Sequence, residues 1–106
     1  MEVTRTSRDD GAIQLGIDGE LDLATASELR EALLEAIGEN GAGIWVDLAK
    51  CSFMDSTGLR VIIEGARLVA QREGQLGITG LREQPKQLFE ITSLHSSQLL
   101  RFDAAA

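Results

Sequence analysis

Along this chain the apolar residues switch repeatedly between the spacing of a strand and the spacing of a helix, and that switching restricts the fold more than any other feature. From Ala12 to Gly19 they alternate, so Ile13, Leu15 and Ile17 share one face of a strand. Leu29, Leu33, Ala36 and Ile37 then recur at helical spacing, with Arg30, Glu31 and Glu35 directed elsewhere. Thr25 with Glu28 three residues later matches a capping box at this helix's start. Gly38 or Gly41 is expected to end it. Ile44-Trp45-Val46 is a short continuous apolar run, the pattern of a central strand covered on both faces. A second helix is expected from Ser56 or Thr57, with the stripe Leu59, Ile62, Ile63, Ala66 and Val69 and an end at Gly74. On its outer side Arg60 and Glu64 lie four apart and Glu64 and Arg67 three apart, a mixed-charge pattern. Leu76 and Ile78 alternate with Gly77 and Thr79 as another strand. Pro85 suits the first turn of a third helix, with Leu88, Phe89 and Thr92 facing inward. A weaker strand signal, Glu2 to Ser7, ends at the Asp10-Gly11 turn, and Leu99, Leu100 and Phe102 form a last short strand or a packed tail.

Strand–helix–strand order implies right-handed crossovers and a largely parallel core, with the opening hairpin as an antiparallel edge. The expectation is an α/β fold: a single small domain over residues 1–106, its mixed, mostly parallel sheet of about four to five strands packed by helices. Hydrophobic residues at 43% and charged residues at 25% argue against a disordered chain. No apolar run approaches the roughly 20 residues of a membrane span. Met1 to Arg5 lead into no apolar signal segment, so a cytoplasmic location is expected. The net charge of −7 repels phosphate backbones, which disfavours direct nucleic-acid binding. It suits a partner with basic grooves, or simply keeps a small protein soluble. Cys51 is the only cysteine and His95 the only histidine, so an intramolecular disulfide, a multi-cysteine metal site and a His-pair zinc motif are excluded.

In open α/β sheets, sites form at the carboxyl ends of the parallel strands. That edge is expected to receive Glu20, Asp22, Asp47 and the segment Cys51 to Gly58. Its most informative feature is the hydroxyl pair Ser56-Thr57 at a helix start. One use for Ser56 is as the N-cap. A hydrolase reading fails: the segment lacks the glycine two residues before the serine that a nucleophile elbow needs, and His95 follows a different helix. No phosphate-binding loop exists, and Gly41-Ala42-Gly43 precedes a strand rather than a helix. This leaves a small-ligand or nucleotide-binding domain without a motif. Asp18, Asp22, Asp47 and Asp55 offer oxygens for Mg²⁺ in a phosphoryl-receiver arrangement. Such a receiver needs a lysine after a late strand, whereas Lys86 follows Pro85 inside a helix, and the chain is one strand–helix unit short. A solvated, partner-facing acidic patch is the preferred reading.

Phe53-Met54-Asp55-Ser56-Thr57-Gly58-Leu59 resembles the signature of the STAS-domain family, in particular the bacterial anti-sigma factor antagonists. Gly19-Glu20-Leu21-Asp22 resembles the family's end-of-strand motif, Val46-Asp47-Leu48 the strand before the signature, and Leu88-Phe89-Glu90-Ile91-Thr92 its late helix. The resemblance implies a binding protein rather than an enzyme, with no cofactor or metal and as a monomer or weak dimer. It implies that Ser56 is a phosphate acceptor for an anti-sigma factor with serine kinase activity, and that a PP2C-type phosphatase reverses the modification. The unmodified form would bind the anti-sigma factor and release the sigma factor. The rival reading is a STAS scaffold subunit of a transport or signalling complex that works without phosphorylation.

Partner contacts are expected at Glu20, Asp22, Asp55, Ser56, Thr57, Gly58 and Arg60. Asp55 shapes the loop, orients the hydroxyl or caps the helix. Thr57 is a second acceptor hydroxyl. Gly58 lets a partner's backbone approach, or is merely tolerated. Glu20 and Asp22 are recognition contacts or solvated surface. Arg60 stands where family members often carry a small residue, and Ser93 replaces a glycine common after the late helix. Cys51 lies close enough to the signature for thiol chemistry to touch it, or is packed and inert.

Overall fold

The computed structural model describes residues 1–40 and 43–103. The chain runs β1 (Glu2–Ser7), β2 (Ile13–Leu21), α1 (Ala26–Asn40), β3 (Ile44–Met54), α2 (Ser56–Ala70), β4 (Leu76–Thr79), α3 (Glu83–Ile91), a one-turn 3₁₀ helix (Leu94–Ser96) and β5 (Leu100–Phe102). The strands form one five-stranded sheet in the order β1-β2-β3-β4-β5. β1 pairs antiparallel with β2, and every later pair is parallel. This is the expected mixed α/β fold, and Leu100 to Phe102 form a strand rather than a tail, with Leu99 in the turn before it. No helix among the described residues is long and apolar enough to cross a membrane.

Register divides the sheet into two unlike faces. Leu15, Val46, Ile78 and Phe102 stand side by side across four strands. With Ile13, Ile17 and Ile44 they meet Leu29 and Leu33 of α1, Ile62 and Val69 of α2 and Phe89 of α3 in one apolar core. Burying each large aliphatic side chain here contributes about 1.5–3 kcal/mol. Phe89 also meets Phe102 edge-on, with ring centroids 5.7 Å apart.

The opposite face carries the row Gln14, Trp45, Gly77 and Arg101. Ile44, Trp45 and Val46 are all buried, as the apolar run predicts, but Trp45 is covered by side chains of its own face. The indole lies on Gly77, where an added Cβ would come within 2.3 Å of the ring. The guanidiniums of Arg8 and Arg101 sit over it, 4.1 and 4.7 Å from the ring centroid. Two charged side chains with long apolar stems do here what a helix does on the other face. The indole N–H finds no acceptor among the described residues.

Several boundaries differ from the sequence pattern. Gly38 lies inside α1, and Gly41 lies outside the described residues. α2 stops before Gly74: Glu73 and Gly74 donate backbone N–H groups to Ala70 and Val69 respectively, and Glu73 takes the left-handed φ of 64° that closes such a helix end. Thr92 is exposed, its hydroxyl donating to the carbonyl of Leu88 at 2.8 Å. β3 runs far beyond Val46 to Met54. Its register against β2 slips twice, between Gly16 and Asp18 and between Gly19 and Glu20, each time with one extra residue on β3. These bulges re-aim side chains and erase the alternation that would have revealed the strand.

Candidate functional site

The second half of β3 brings the signature to the sheet edge. Cys51, Ser52, Phe53 and Met54 are strand residues, and Asp47 lies mid-strand rather than at the edge. At the end of β3, Met54 has no partner strand on the β4 side, because the pairing of β3 with β4 stops at Asp47 and Thr79. Gln84 of α3 fills that place. Its amide donates to the Met54 carbonyl at 2.9 Å and accepts from the Met54 N–H at 2.8 Å. Sequence reasoning missed Gln84, since nothing local marks a glutamine that completes a distant strand.

Asp55 follows and caps α2. Its Oδ1 accepts from the backbone N–H groups of Thr57 and Gly58 at 2.9 and 3.0 Å. Of the three roles open to Asp55, the cap is thus filled, and Ser56 as the N-cap is corrected: Ser56 is the first helical residue. The Asp55 carboxylate has a second use. Oδ2 accepts from the N–H of Leu23 at 3.3 Å, and the Asp55 N–H donates to the Leu21 carbonyl at 3.1 Å. One residue therefore ties the start of α2 to the β2–α1 loop.

That loop is internally braced. The Thr25 hydroxyl donates to the Glu20 carbonyl at 2.8 Å and accepts from the Asp22 N–H at 3.0 Å. Thr25 thus serves the loop instead of the predicted capping box, because its own N–H donates to the Asp22 carbonyl at 3.1 Å. Asp22 Oδ1 accepts from the Ala24 N–H at 3.0 Å, while Glu20 is exposed. Gly58 serves a close approach rather than being merely tolerated. Its open side faces Leu21, and an added Cβ would sit 2.6 Å from Leu21 Cγ and 2.8 Å from the Leu21 carbonyl oxygen. The close approach is within the chain, between α2 and the end of β2.

Ser56 is exposed, and its hydroxyl has no hydrogen-bond partner among the described residues. Thr57 beside it is half-buried. Leu23 at 78% and Phe53 at 41% exposure place large apolar side chains on the segments that meet at Asp55. Outward along α2, Ser56, Arg60, Ile63 and Arg67 line a shallow groove bounded by Thr92 and Leu94. The mixed-charge spacing of Arg60, Glu64 and Arg67 makes no ion pair along the helix among the described residues. Glu64 is bonded across the helix interface by Arg30 of α1, Nη2 to Oε2 at 2.9 Å. Cys51 is fully buried, with its thiol donating to the Phe53 carbonyl at 3.3 Å. Burial pushes its pKa up, which favours the packed, inert reading. Of the aspartates weighed for Mg²⁺, Asp47 and Asp18 lie on the bare sheet face, while Asp55 and Asp22 are at the edge with oxygens taken by N–H groups. No three His, Cys, Asp or Glu side chains among the described residues converge on a metal position. The His95 side chain lies outside the described residues.

Family comparison fits this geometry. The family model described as "Mlab, STAS domain" matches residues 4–101. The chain belongs to the STAS domain family. This STAS domain is 38% identical over 87 residues to the anti-sigma-B factor antagonist of Listeria monocytogenes, covering 82% of this chain and 76% of the relative. It is 40% identical over 82 residues to that of Bacillus subtilis, covering 77% and 74%. Among solved structures, an anti-sigma factor antagonist from Mycobacterium paratuberculosis superposes with a TM-score of 0.78 at 23% identity, covering 93% and 85% of the two chains. Unphosphorylated SpoIIAA, an anti-sigma factor antagonist, gives 0.69 at 18%, covering 85% and 83%. At these identities the structures speak to the fold of the STAS domain alone.

Proposed function

We propose that this STAS domain is a cytoplasmic anti-sigma factor antagonist switched by phosphorylation at Ser56. In the unmodified state it binds an anti-sigma factor that has serine kinase activity, and the sigma factor is released. The kinase transfers the γ-phosphoryl group of ATP to Ser56 Oγ; a P–O bond forms as the bond to ADP breaks, and the hydroxyl proton passes to a base on the kinase. A PP2C-type phosphatase hydrolyses the phosphoserine and resets the switch. The domain acts as binder and substrate, not as the enzyme.

The observation that carries this reading is the exposed, unengaged Ser56 hydroxyl on the first turn of α2, in a chain whose relatives at 35–40% identity are anti-sigma-B factor antagonists. Because Asp55 holds the cap, Ser56 is free to be modified without removing a bond that the helix start needs. Phosphorylation adds about −1.5 to −2 charges at that point. The dipole of α2 tolerates an anion there. A partner pressed against Leu23, Phe53 and Ser56 does not, since desolvating that charge beside Asp55 and Glu20 costs a few kcal/mol, and each ~1.4 kcal/mol is tenfold in affinity.

The test pairs mass spectrometry with binding. Incubation with the anti-sigma kinase and ATP should add one phosphoryl group at Ser56. Ser56→Ala should bind constitutively and Ser56→Asp at least about tenfold more weakly. Equal binding by the two variants rejects the charge switch. No mass gain with a competent kinase, together with co-purification with transport subunits, favours the scaffold reading.

A further inference from the structure

Arg60 lies one helical turn beyond Ser56, and both line the groove on the outer face of α2. Side chains four residues apart on a helix are neighbours. The acid that the sequence offers Arg60, Glu64, is held instead by Arg30 of α1 at 2.9 Å. Arg60 is exposed and has no ion pair among the described residues. A guanidinium stays charged throughout the working pH range and presents a fork of donors that suits a phosphoryl group. In a chain of net charge −7, a cation left without an acid beside the acceptor hydroxyl needs a reason.

We propose that Arg60 is the intramolecular counter-ion of phosphorylated Ser56. This rests on the reading of Ser56 as the acceptor and adds what becomes of the phosphate afterwards. The phosphoryl oxygens accept charge-assisted hydrogen bonds from the Arg60 guanidinium along the first turn of α2. The pair draws the phosphate outward along the groove, away from Asp55, whose oxygens are taken by the N–H groups of Thr57, Gly58 and Leu23. The other charged groups of the groove do not compete. Glu64 is paired, Thr92 and Leu94 on the facing segment are uncharged, and Arg67 is eleven residues on, roughly 16 Å along the axis. Glu20 and Asp22 of the β2–α1 loop raise the phosphate's second ionisation in every variant alike.

The experiment installs phosphoserine at position 56 of the full chain by amber suppression, so the kinase is not needed. The phosphorus resonance is then followed by NMR against pH in the parent chain, Arg60→Gln, Arg60→Lys and Arg67→Gln. The second ionisation should lie about half a pH unit lower in the parent than in Arg60→Gln, with the difference shrinking in salt. Arg60→Lys should restore part of it, and Arg67→Gln should titrate like the parent. Identical titrations for the parent and Arg60→Gln, or an equal effect of Arg67→Gln, overturn the pairing. A kinase that never modifies Ser56 would sink the proposed function while leaving this titration to be read on its own.

Discussion

α2 and α3 each follow a parallel strand and start at the same edge of the sheet, yet their first turns are held in opposite ways. α2 is capped by Asp55, whose carboxylate accepts from two N–H groups of the helix and one of the β2–α1 loop. α3 starts at Arg82 with no side-chain cap bond. It relies on buried Pro85 in its first turn, and it sends the Gln84 amide outward to close the end of β3. α2 is thus anchored by the residue before it, and α3 by what it grips. Together they clamp Met54-Asp55 from both sides. The lesson is one of rigidity at a site of modification: every bond needed to place Ser56 comes from another residue, so the serine oxygen is left over for chemistry.

Substitutions can break that contrast. The largest effect should come from Gly58→Ala, because a methyl group there meets both the side chain and the carbonyl of Leu21. We expect a loss of about 2–3 kcal/mol in urea unfolding; a loss below about 0.5 kcal/mol means that β2 and α2 are not locked as described. Asp55→Ala should cost about 1–2 kcal/mol, against at most about 0.5 for Arg82→Ala in the same assay. Equal losses would erase the difference between the two helix starts. Arg82→Asp sharpens it from the other side, since a carboxylate at the uncapped start of α3 should add about 0.5–1 kcal/mol, seen as a higher melting temperature.

The helix stripes were legible because burial follows a local period: Leu29, Leu33, Ala36 and Ile37, and Leu59, Ile62, Ala66 and Val69, are all buried as expected, while Ile63, counted in the same stripe, is only half-buried at the outer groove. The fold class followed from their alternation with strands. What escaped depended on contacts distant in sequence. β3 looked short because two bulges break its alternation. Asp55 and Ser56 are both good caps by residue type, and only the coordinates of Thr57 and Gly58 decide between them. Gly58 is explained by Leu21, and the fate of Glu64 by Arg30, both more than thirty residues upstream. Ser93 is the converse case. The family pattern favours glycine there, and the backbone does adopt the left-handed φ of 60° that glycine takes without strain.

The chain holds one tryptophan and no tyrosine. Trp45 lies on the bare side of the sheet beneath Arg8 and Arg101, far along β3 from the signature. Its near-ultraviolet absorption and fluorescence therefore report from a single ring. An emission spectrum that stays constant while a partner engages the Ser56 edge, and shifts only on denaturation, makes this domain its own internal standard for separating docking from unfolding.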